Sequence, residues 1–207
     1  MNRKILKADM TGIRHVSQVI LQGGIAAFPT ETFYGLGADA RNEEALQKIF
    51  QIKGREENKP LLLLIGDREW LTGLARYIPP VAERLMEKFW PGPLTLVFEA
   101  SPLLSSLLTG GTGTVGVRLS PHPIAQALVR AVGRAITATS ANFSGQPSAS
   151  VAAEVFRAMG TRVDAILDGG QTKGGLGSTV LDVSSPAPRI IRQGVISRPE
   201  LVPFLGV

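Results

Sequence analysis

The chain has 207 residues, of which 44% are hydrophobic, so it can bury a sizeable core and fits a single domain. Its formal net charge of +5 favours an acidic partner, either a nucleotide or a nucleic acid. The absence of cysteine excludes disulfides, thiolate zinc sites and cysteine nucleophiles. These properties describe a globular protein whose ligand carries negative charge.

The N-terminal segment 1–7 has no long apolar stretch and no small-residue cleavage site, so it does not predict a secretory signal. No apolar run approaches the roughly 20 residues that span a bilayer. We therefore expect a cytoplasmic protein without a membrane partner.

Helix and strand patterns alternate along the chain. In chain order they predict a helix over 11–22, a strand over 24–28, a helix over 43–52, a strand over 61–65, helices over 67–75 and 79–89, a strand over 94–98, a short helix over 102–108, a strand over 114–119, a helix over 123–132, a strand over 135–138, a helix over 150–159, and strands over 163–167, 178–183 and 189–192. This alternation predicts an α/β fold around one mixed sheet. We expect one domain over 1–207, with a motif core at about 12–195 and a short surface tail at 196–207.

One segment, 29–37, follows the first predicted strand with a hydroxyl-rich turn that contains Thr30 and Thr32. A cluster of cations lies downstream, namely Lys53, Arg55 and Lys59. A buried strand that leads into hydroxyls, with cations close behind, suits a site for a small polyanion.

Familiar catalytic patterns do not occur. There is no Walker A loop, no third glycine after Gly35 and Gly37 to complete a dinucleotide fingerprint, and no G-x-S-x-G. His122 stands between two prolines and is expected to be a turn residue. Glu31 and Asp39 are the only carboxylates beside the 29–37 segment, which gives weak support to paired acid and base catalysis.

Cations and hydroxyls instead lie at the ends of the predicted strands, and in open α/β sheets ligands bind outside the carboxyl ends of strands. They are Thr30, Thr32, Arg118, Ser140, Asn142, Ser178, Thr179 and Arg192. Together with the downstream cations they would offset the charge of a triphosphate. Taken singly, each cation also fits a solvated surface charge, each hydroxyl fits a turn or cap, and Arg118 fits a structural ion pair.

The motifs also resemble a known family, the threonylcarbamoyl-AMP synthases of the YrdC-like fold, from about Gly24 to Gly194. The resemblance is carried by PTETFYGLG (29–37), KGR (53–55) with KPL (59–61), WPGPLT (90–95), VGVR (115–118), SAN (140–142) with SG (144–145), ST (178–179) and RQG (192–194). It implies a twisted mixed β-sheet with flanking helices that enclose a wide basic cavity.

The resemblance also implies a reaction. L-threonine and bicarbonate form a carbamate, which attacks the α-phosphate of ATP to give threonylcarbamoyl-AMP and diphosphate. ATP is thus a substrate, Mg²⁺ would be held mainly by phosphates and water, and no metal site of the protein itself is expected. A partner enzyme then passes the group to adenosine in tRNA, and this protein could also contact the tRNA directly.

Site residues follow from the resemblance, position by position. The implied threonine ligands are Thr32, Arg118 and Ser178. The implied ATP ligands are Arg55, Lys59, Thr114, Ser140, Ser148 and Arg192. Lys53, Arg55, Ser140 and Asn142 would position the reactants and neutralise charge, with no covalent nucleophile. Such a nucleotidyltransferase needs positioning more than bond-making groups, which agrees with the missing triad.

Three positions depart from the family pattern. Leu64 stands where many members have a histidine near threonine, Glu56 replaces a proline, and Phe33 replaces a common valine. A carbamoyl-handling paralogue with another acceptor therefore stays open. A non-catalytic RNA-binding protein with a basic concave surface is the other alternative, although the chain lacks the aromatic-studded strands of single-strand RNA readers.

Overall fold

The computed structural model describes residues 4–205. Its α-helices are α1 (Met10–Leu21), α2 (Glu43–Lys53), α3 (Pro80–Phe89), α4 (Ser106–Thr109), α5 (Pro123–Val132), α6 (Ala152–Met159) and α7 (Arg198–Leu201). Two 3₁₀ turns cover Arg68–Gly73 and Val202–Phe204. Within this range no helix combines the length and the apolar character needed to cross a membrane.

The strands are β1 (Ile5–Lys7), β2 (Ala26–Pro29), β3 (Tyr34–Gly37), β4 (Leu63–Leu64), β5 (Leu94–Glu99), β6 (Thr114–Arg118), β7 (Ile136–Thr137), β8 (Thr139–Ser140), β9 (Ala165–Asp168), β10 (Thr179–Asp182) and β11 (Arg189–Arg192). In the described range they form two sheets, in the orders β1-β9-β2-β3-β8 and β11-β10-β5-β6-β4-β7. Each sheet contains parallel and antiparallel pairs. The α/β class and the mixed pairing are confirmed, whereas the single sheet was wrong.

Local details also differ from the sequence predictions. Helix α1 begins at Met10, one residue before the predicted start, because the Asp9 side chain caps it by accepting the Gly12 N–H at 2.9 Å. The segment 29–37 is the turn and second strand of a hairpin, since β3 pairs antiparallel with β2. The predicted strand over 61–65 shrinks to β4. The short strand β1 was not predicted; it pairs with β9 in parallel.

Both sheets contribute side chains to the larger of two buried clusters, so they share one core. Leu36 of the first sheet and Val117 of the second belong to this cluster. The smaller cluster lies between α1, α5 and the first sheet, and it includes Leu64, which is only 1% exposed. The shared core fixes the two sheets relative to each other, and so fixes the residues at their strand ends.

The C-terminal segment is more than a surface tail. Ile196 and Leu201 are buried in the larger cluster, and the Phe204 ring packs edge-on against Phe89 of α3 at 5.8 Å. The expectation of a surface tail was therefore wrong for these residues. The ends of the predicted single domain, residues 1–3 and 206–207, lie outside the described range.

Candidate active site

The hairpin turn between β2 and β3 is built by its own hydroxyls. Thr30 Oγ1 donates to the Phe33 carbonyl at 2.7 Å and lies 3.2 Å from Thr32 Oγ1. Behind the turn, the Tyr34 hydroxyl donates to the Gly170 carbonyl at 2.8 Å. Burial raises the pKa of Tyr34 to about 12, so this phenol stays protonated and ties the turn to the 169–177 loop.

Lys53 closes α2 and holds a second turn in place. Its Nζ donates to the carbonyls of Ser140 and Asn142 at 2.5 and 2.7 Å, and to Asn142 Oδ1 at 3.1 Å. Ser140 Oγ also donates to Asn142 Oδ1 at 2.5 Å. Burial, and then the charge of Arg55, lower the pKa of Lys53 to about 8. The lysine thus organises the turn that carries Ser140.

Gly54 reverses the chain after α2 with a φ of 57°, which brings Arg55 back towards the sheets. Arg55 Nη2 donates to the Pro60 carbonyl at 3.0 Å, and burial lowers the pKa of Arg55. Lys59 is exposed and lies 3.6 Å from Glu56. Of these two cations, only Arg55 is drawn inward.

Arg118, at the end of β6, forms a buried ion pair. Its Nη1 donates to Glu31 Oε1 at 2.6 Å, and the two side chains are 7% and 10% exposed. Glu31 Oε2 also accepts a hydrogen bond from the Ser120 hydroxyl. Burial lowers the pKa of Arg118, while the charge of Glu31 acts in the opposite direction. The guanidinium stays charged, because an arginine pKa lies far above neutrality.

Arg192, at the end of β11, is tied to the start of β10. Its Nη2 donates to the Ser178 carbonyl at 2.9 Å and to Ser178 Oγ at 3.2 Å. Ser178 Oγ in turn lies 2.9 Å from Thr95 Oγ1. Burial, then the charges of Arg118 and Arg55, lower the pKa of Arg192. Arg118 and Arg55 therefore lie close enough to Arg192 for their charges to act on it.

These elements surround a cavity of about 280 Å³. The sequence-predicted residues that line it are Thr30, Thr32, Arg55, Arg118, Ser140, Ser148, Ser178 and Arg192. Among residues 4–205, no aspartate or glutamate lines this cavity. Its volume is close to the lower end of the roughly 300–1,000 Å³ usual for ligand sites, so the expected wide cavity stays a prediction.

Four predicted site residues do not line the cavity. Lys53 and Asn142 lie behind it, where they support the turn that carries Ser140. Lys59 points to solvent, and Thr114 stands at the opposite end of β6 from Arg118, about 13 Å along the strand. The ATP roles of Lys59 and Thr114 stay predictions.

Leu62 is a cavity residue that the sequence reasoning missed. It lines the wall, whereas Leu64, expected near threonine, is buried in the smaller core cluster. Leu62 lies over Gly116, where a Cβ would overlap Leu62 Cδ2. An apolar run over 61–65 gives no signal that separates a wall residue from a core residue, so sequence alone could not find it.

A larger cavity of about 1,190 Å³ lies elsewhere, beside Arg41, Trp70, Leu104 and Arg134. It gathers none of the predicted site residues. Its lining mixes both signs of charge with apolar groups, and Arg134 is already paired with Asp39 at 3.3 Å. The smaller cavity is therefore the candidate site, because chemistry and not size distinguishes it.

Sequence comparison agrees with the motifs. The Sua5/YciO/YrdC family model, described as "Telomere recombination", matches residues 18–194. The threonylcarbamoyl-AMP synthase of Pyrococcus abyssi is 43% identical over 194 residues, which is 94% of this chain and 57% of that protein. The threonylcarbamoyl-AMP synthase of Bacillus subtilis is 40% identical over 195 residues, which is 94% of this chain and 56% of that protein. The chain therefore spans little more than half the length of these two relatives.

Solved structures give the same picture. P. abyssi Sua5 in complex with L-threonine has a TM-score of 0.94 at 41% identity, over 98% of this chain and 61% of that one. YciO of E. coli has a TM-score of 0.86 at 27% identity, over 97% of this chain and 98% of that one. The fold of the chain is thus shared, over at least 97% of its length, with a longer protein and with one of similar length.

Proposed function

We propose that this chain, which belongs to the Sua5/YciO/YrdC family, is an L-threonylcarbamoyladenylate synthase. It would make threonylcarbamoyl-AMP and diphosphate from L-threonine, bicarbonate and ATP. The observation that carries the proposal is the convergence of Arg55, Arg118 and Arg192 on one cavity lined by hydroxyls. Support also comes from the P. abyssi and B. subtilis relatives, which are named as synthases of this compound.

The bonds formed and broken determine what the site must do. The threonine amine adds to the carbon of bicarbonate with loss of water, which gives a carbamate. A carbamate oxygen then bonds to the α-phosphorus of ATP, and the bond from that phosphorus to the bridging oxygen breaks. Diphosphate leaves with the electron pair. Bicarbonate, ATP and the carbamate are anions and threonine carries a carboxylate, so the main tasks are to hold negatively charged groups together and to neutralise charge.

The cavity offers groups for those tasks. Arg55, which follows α2, and Arg192, at the end of β11, both line the cavity and would bind phosphate oxygens through their N–H groups. Ser140 and Ser148 add hydroxyl donors. Thr32, Arg118 and Ser178 would hold the amino acid, with Arg118 beside its carboxylate.

Mg²⁺ would accompany ATP. Since no carboxylate from residues 4–205 lines the cavity, this lining offers only neutral oxygens to the ion. Such a lining fits an ion held by phosphates and water better than one held by the protein. The ion would neutralise phosphate charge, and the arginines would complete that neutralisation.

The test is diphosphate release by the purified chain. We expect release only when ATP, L-threonine and bicarbonate are all present, with omission of any one lowering the rate to background. Release that does not depend on threonine would overturn the proposal.

We further propose that a partner enzyme moves the product to tRNA. Binding of tRNA to this chain at several salt concentrations would show whether direct contact occurs, because such binding weakens steeply with salt.

A second candidate is a related synthase that uses another acceptor in place of L-threonine. The observation that favours this candidate is Phe33 in the cavity wall. An aromatic ring there narrows the space beside Thr32. The same assay with a panel of small amino acids separates the two candidates. A higher kcat/KM for another amino acid than for L-threonine would favour the second candidate.

A further inference from the structure

The buried ion pair between Glu31 and Arg118 determines from which side a substrate carboxylate can reach the guanidinium. Glu31 belongs to the hairpin turn but does not line the cavity, whereas its partner Arg118 does. The glutamate therefore stands behind the guanidinium, on the side away from the ligand space. Any bound carboxylate must approach Arg118 from the other side.

The guanidinium keeps hydrogen-bonding capacity for such a ligand. Within residues 4–205, the only hydrogen bond that the Arg118 side chain donates is from Nη1 to Glu31. Over the same range, the buried side-chain atoms that lack a partner are His122 Nδ1 and Gln126 Oε1, so Arg118 Nε and Nη2 are not among them. These two nitrogens thus retain access to the cavity, and a second carboxylate fits that edge with two parallel hydrogen bonds.

Glu31 is itself held by a rigid element. The Ser120 hydroxyl donates to Glu31 and accepts the His122 N–H at 3.2 Å. The Ser120 carbonyl accepts from Gln126 Nε2 at 2.7 Å, which ties the segment to the first turns of α5. The orientation of Arg118 therefore depends on the start of α5 through Ser120 and Glu31.

The negative charge of Glu31 also affects the charge balance among the arginines of the cavity. Arg55 and Arg118 both lower the pKa of Arg192, so their positive charges act on that of Arg192 at the cavity. Without Glu31, Arg118 would be pushed away from the other arginines and would lose its fixed plane. A neutral side chain at position 31 can accept a hydrogen bond but cannot offset that repulsion.

We propose that Glu31 is a positioning residue for the amino-acid substrate, which presents the outer edge of Arg118 to the substrate carboxylate, and that Ser120 holds Glu31 in place. The inference rests on the proposed function and names a determinant of its amino-acid side. Glu31 does not touch the substrate and acts only through Arg118. The competing explanation is a buried ion pair that serves stability alone.

The experiment compares Glu31→Gln with the wild type in the diphosphate assay. We expect the KM for L-threonine to rise at least tenfold and the KM for ATP to stay within twofold, because Arg118 serves only the amino acid. Ser120→Ala should shift the threonine KM in the same direction by a smaller factor, and Ser120→Thr should restore it. The matched control is Asp39→Asn, which removes the charge from the Asp39–Arg134 pair outside the cavity and should change neither constant.

An unchanged or lowered threonine KM in Glu31→Gln would overturn the positioning role, and so would an equal rise in both constants. If Glu31→Gln does not fold, Ser120→Ala decides by the same criterion. Calorimetric titration with L-threonine separates this inference from the synthase itself. A wild type that binds threonine without diphosphate release contradicts only the synthase, and threonine binding unaffected by Glu31→Gln contradicts only the positioning role. A wild type that binds no threonine contradicts both.

Discussion

Lys53 is 2% exposed, yet it carries an ammonium that donates to three oxygens of the 140–142 turn. Burial opposes the charged form, and the acceptors favour it. With a pKa of about 8 in the folded chain, burial is the larger effect. Lys53 therefore holds the turn through three hydrogen bonds. The burial of its charge lowers the free energy of unfolding by an amount that depends on pH.

That dependence gives a prediction. Below pH 8, Lys53 is charged in both the folded and the unfolded chain. As the pH rises from about 8 towards 10.5, the folded chain loses this proton while the unfolded chain keeps it, so stability rises. The free energy of unfolding of the wild type relative to Lys53→Met should increase by about 3 kcal/mol between pH 7 and pH 10. Urea denaturation at several pH values measures it.

A flat or falling difference would mean that the three oxygen acceptors outweigh burial. Lys48→Met provides the matched control, because Lys48 is exposed and its Nζ bonds a single carbonyl, that of Gly23, at 3.1 Å. The same slope in both comparisons would show that it does not originate at Lys53.

Among the elements, α2 bears on the site because it carries Lys53 in its last turn and is followed by Arg55, and both of its ends are well defined. Asn42 caps its start by accepting the Ala45 N–H at 3.0 Å, and Gly54 ends it in the left-handed region with a φ of 57°. Gly133 ends α5 in the same way with a φ of 76°. A Cβ would meet no atom within 4 Å at either glycine, so only backbone strain opposes alanine there.

We therefore expect Gly54→Ala and Gly133→Ala each to lower the free energy of unfolding by about 1 kcal/mol. Of the two glycines, only Gly54 precedes an arginine of the candidate site, Arg55, so only Gly54→Ala should raise the KM for ATP, by several-fold. Denaturation curves and ATP titrations of the two variants test this. A change in ATP affinity of equal size in both would refute the directing role of Gly54.

Prediction from sequence succeeded where the signals are local. Asn42 marks the start of α2, and Pro123 and Gly133 bracket α5, so both helices were found almost to the residue. It failed where pairing is non-local. Nothing in the short β1 indicates its partner β9, and alternating elements do not specify which strands share a sheet. The glycines of β3 read as a turn, although its hairpin partner β2 is adjacent in sequence, because a four-residue stretch with two glycines has little strand propensity.

The candidate site followed the same division. The strand-end argument grouped Thr32, Arg118, Ser178 and Arg192, and all four line one cavity, because topology places strand ends together. The partner of Arg118 was not foreseen, since Glu31 was considered only as an acid or base. A side chain that stands behind a cavity-lining residue leaves no pattern in the sequence.

For the whole molecule, the shared core predicts cooperative unfolding. Trp90 lies in the larger cluster and Trp70 packs against both clusters, so tryptophan emission reports on the entire core. Thermal transitions followed by this emission and by far-ultraviolet circular dichroism should coincide. For 207 residues, the unfolding heat capacity should be about 2.7 kcal/mol/K. Two separate transitions would show that the sheets unfold independently, and would contradict the single domain.

Leu62 and Gly116 share one volume, with the leucine in the wall and the glycine behind it. The size of the ligand space can therefore be set from a position that no ligand reaches. A methyl group added at 116 would push Leu62 inward and narrow the space, and a smaller residue at 62 would widen it again. Substrate range in this chain is thus open to engineering by compensating pairs of substitutions, in which one member lies entirely outside the pocket.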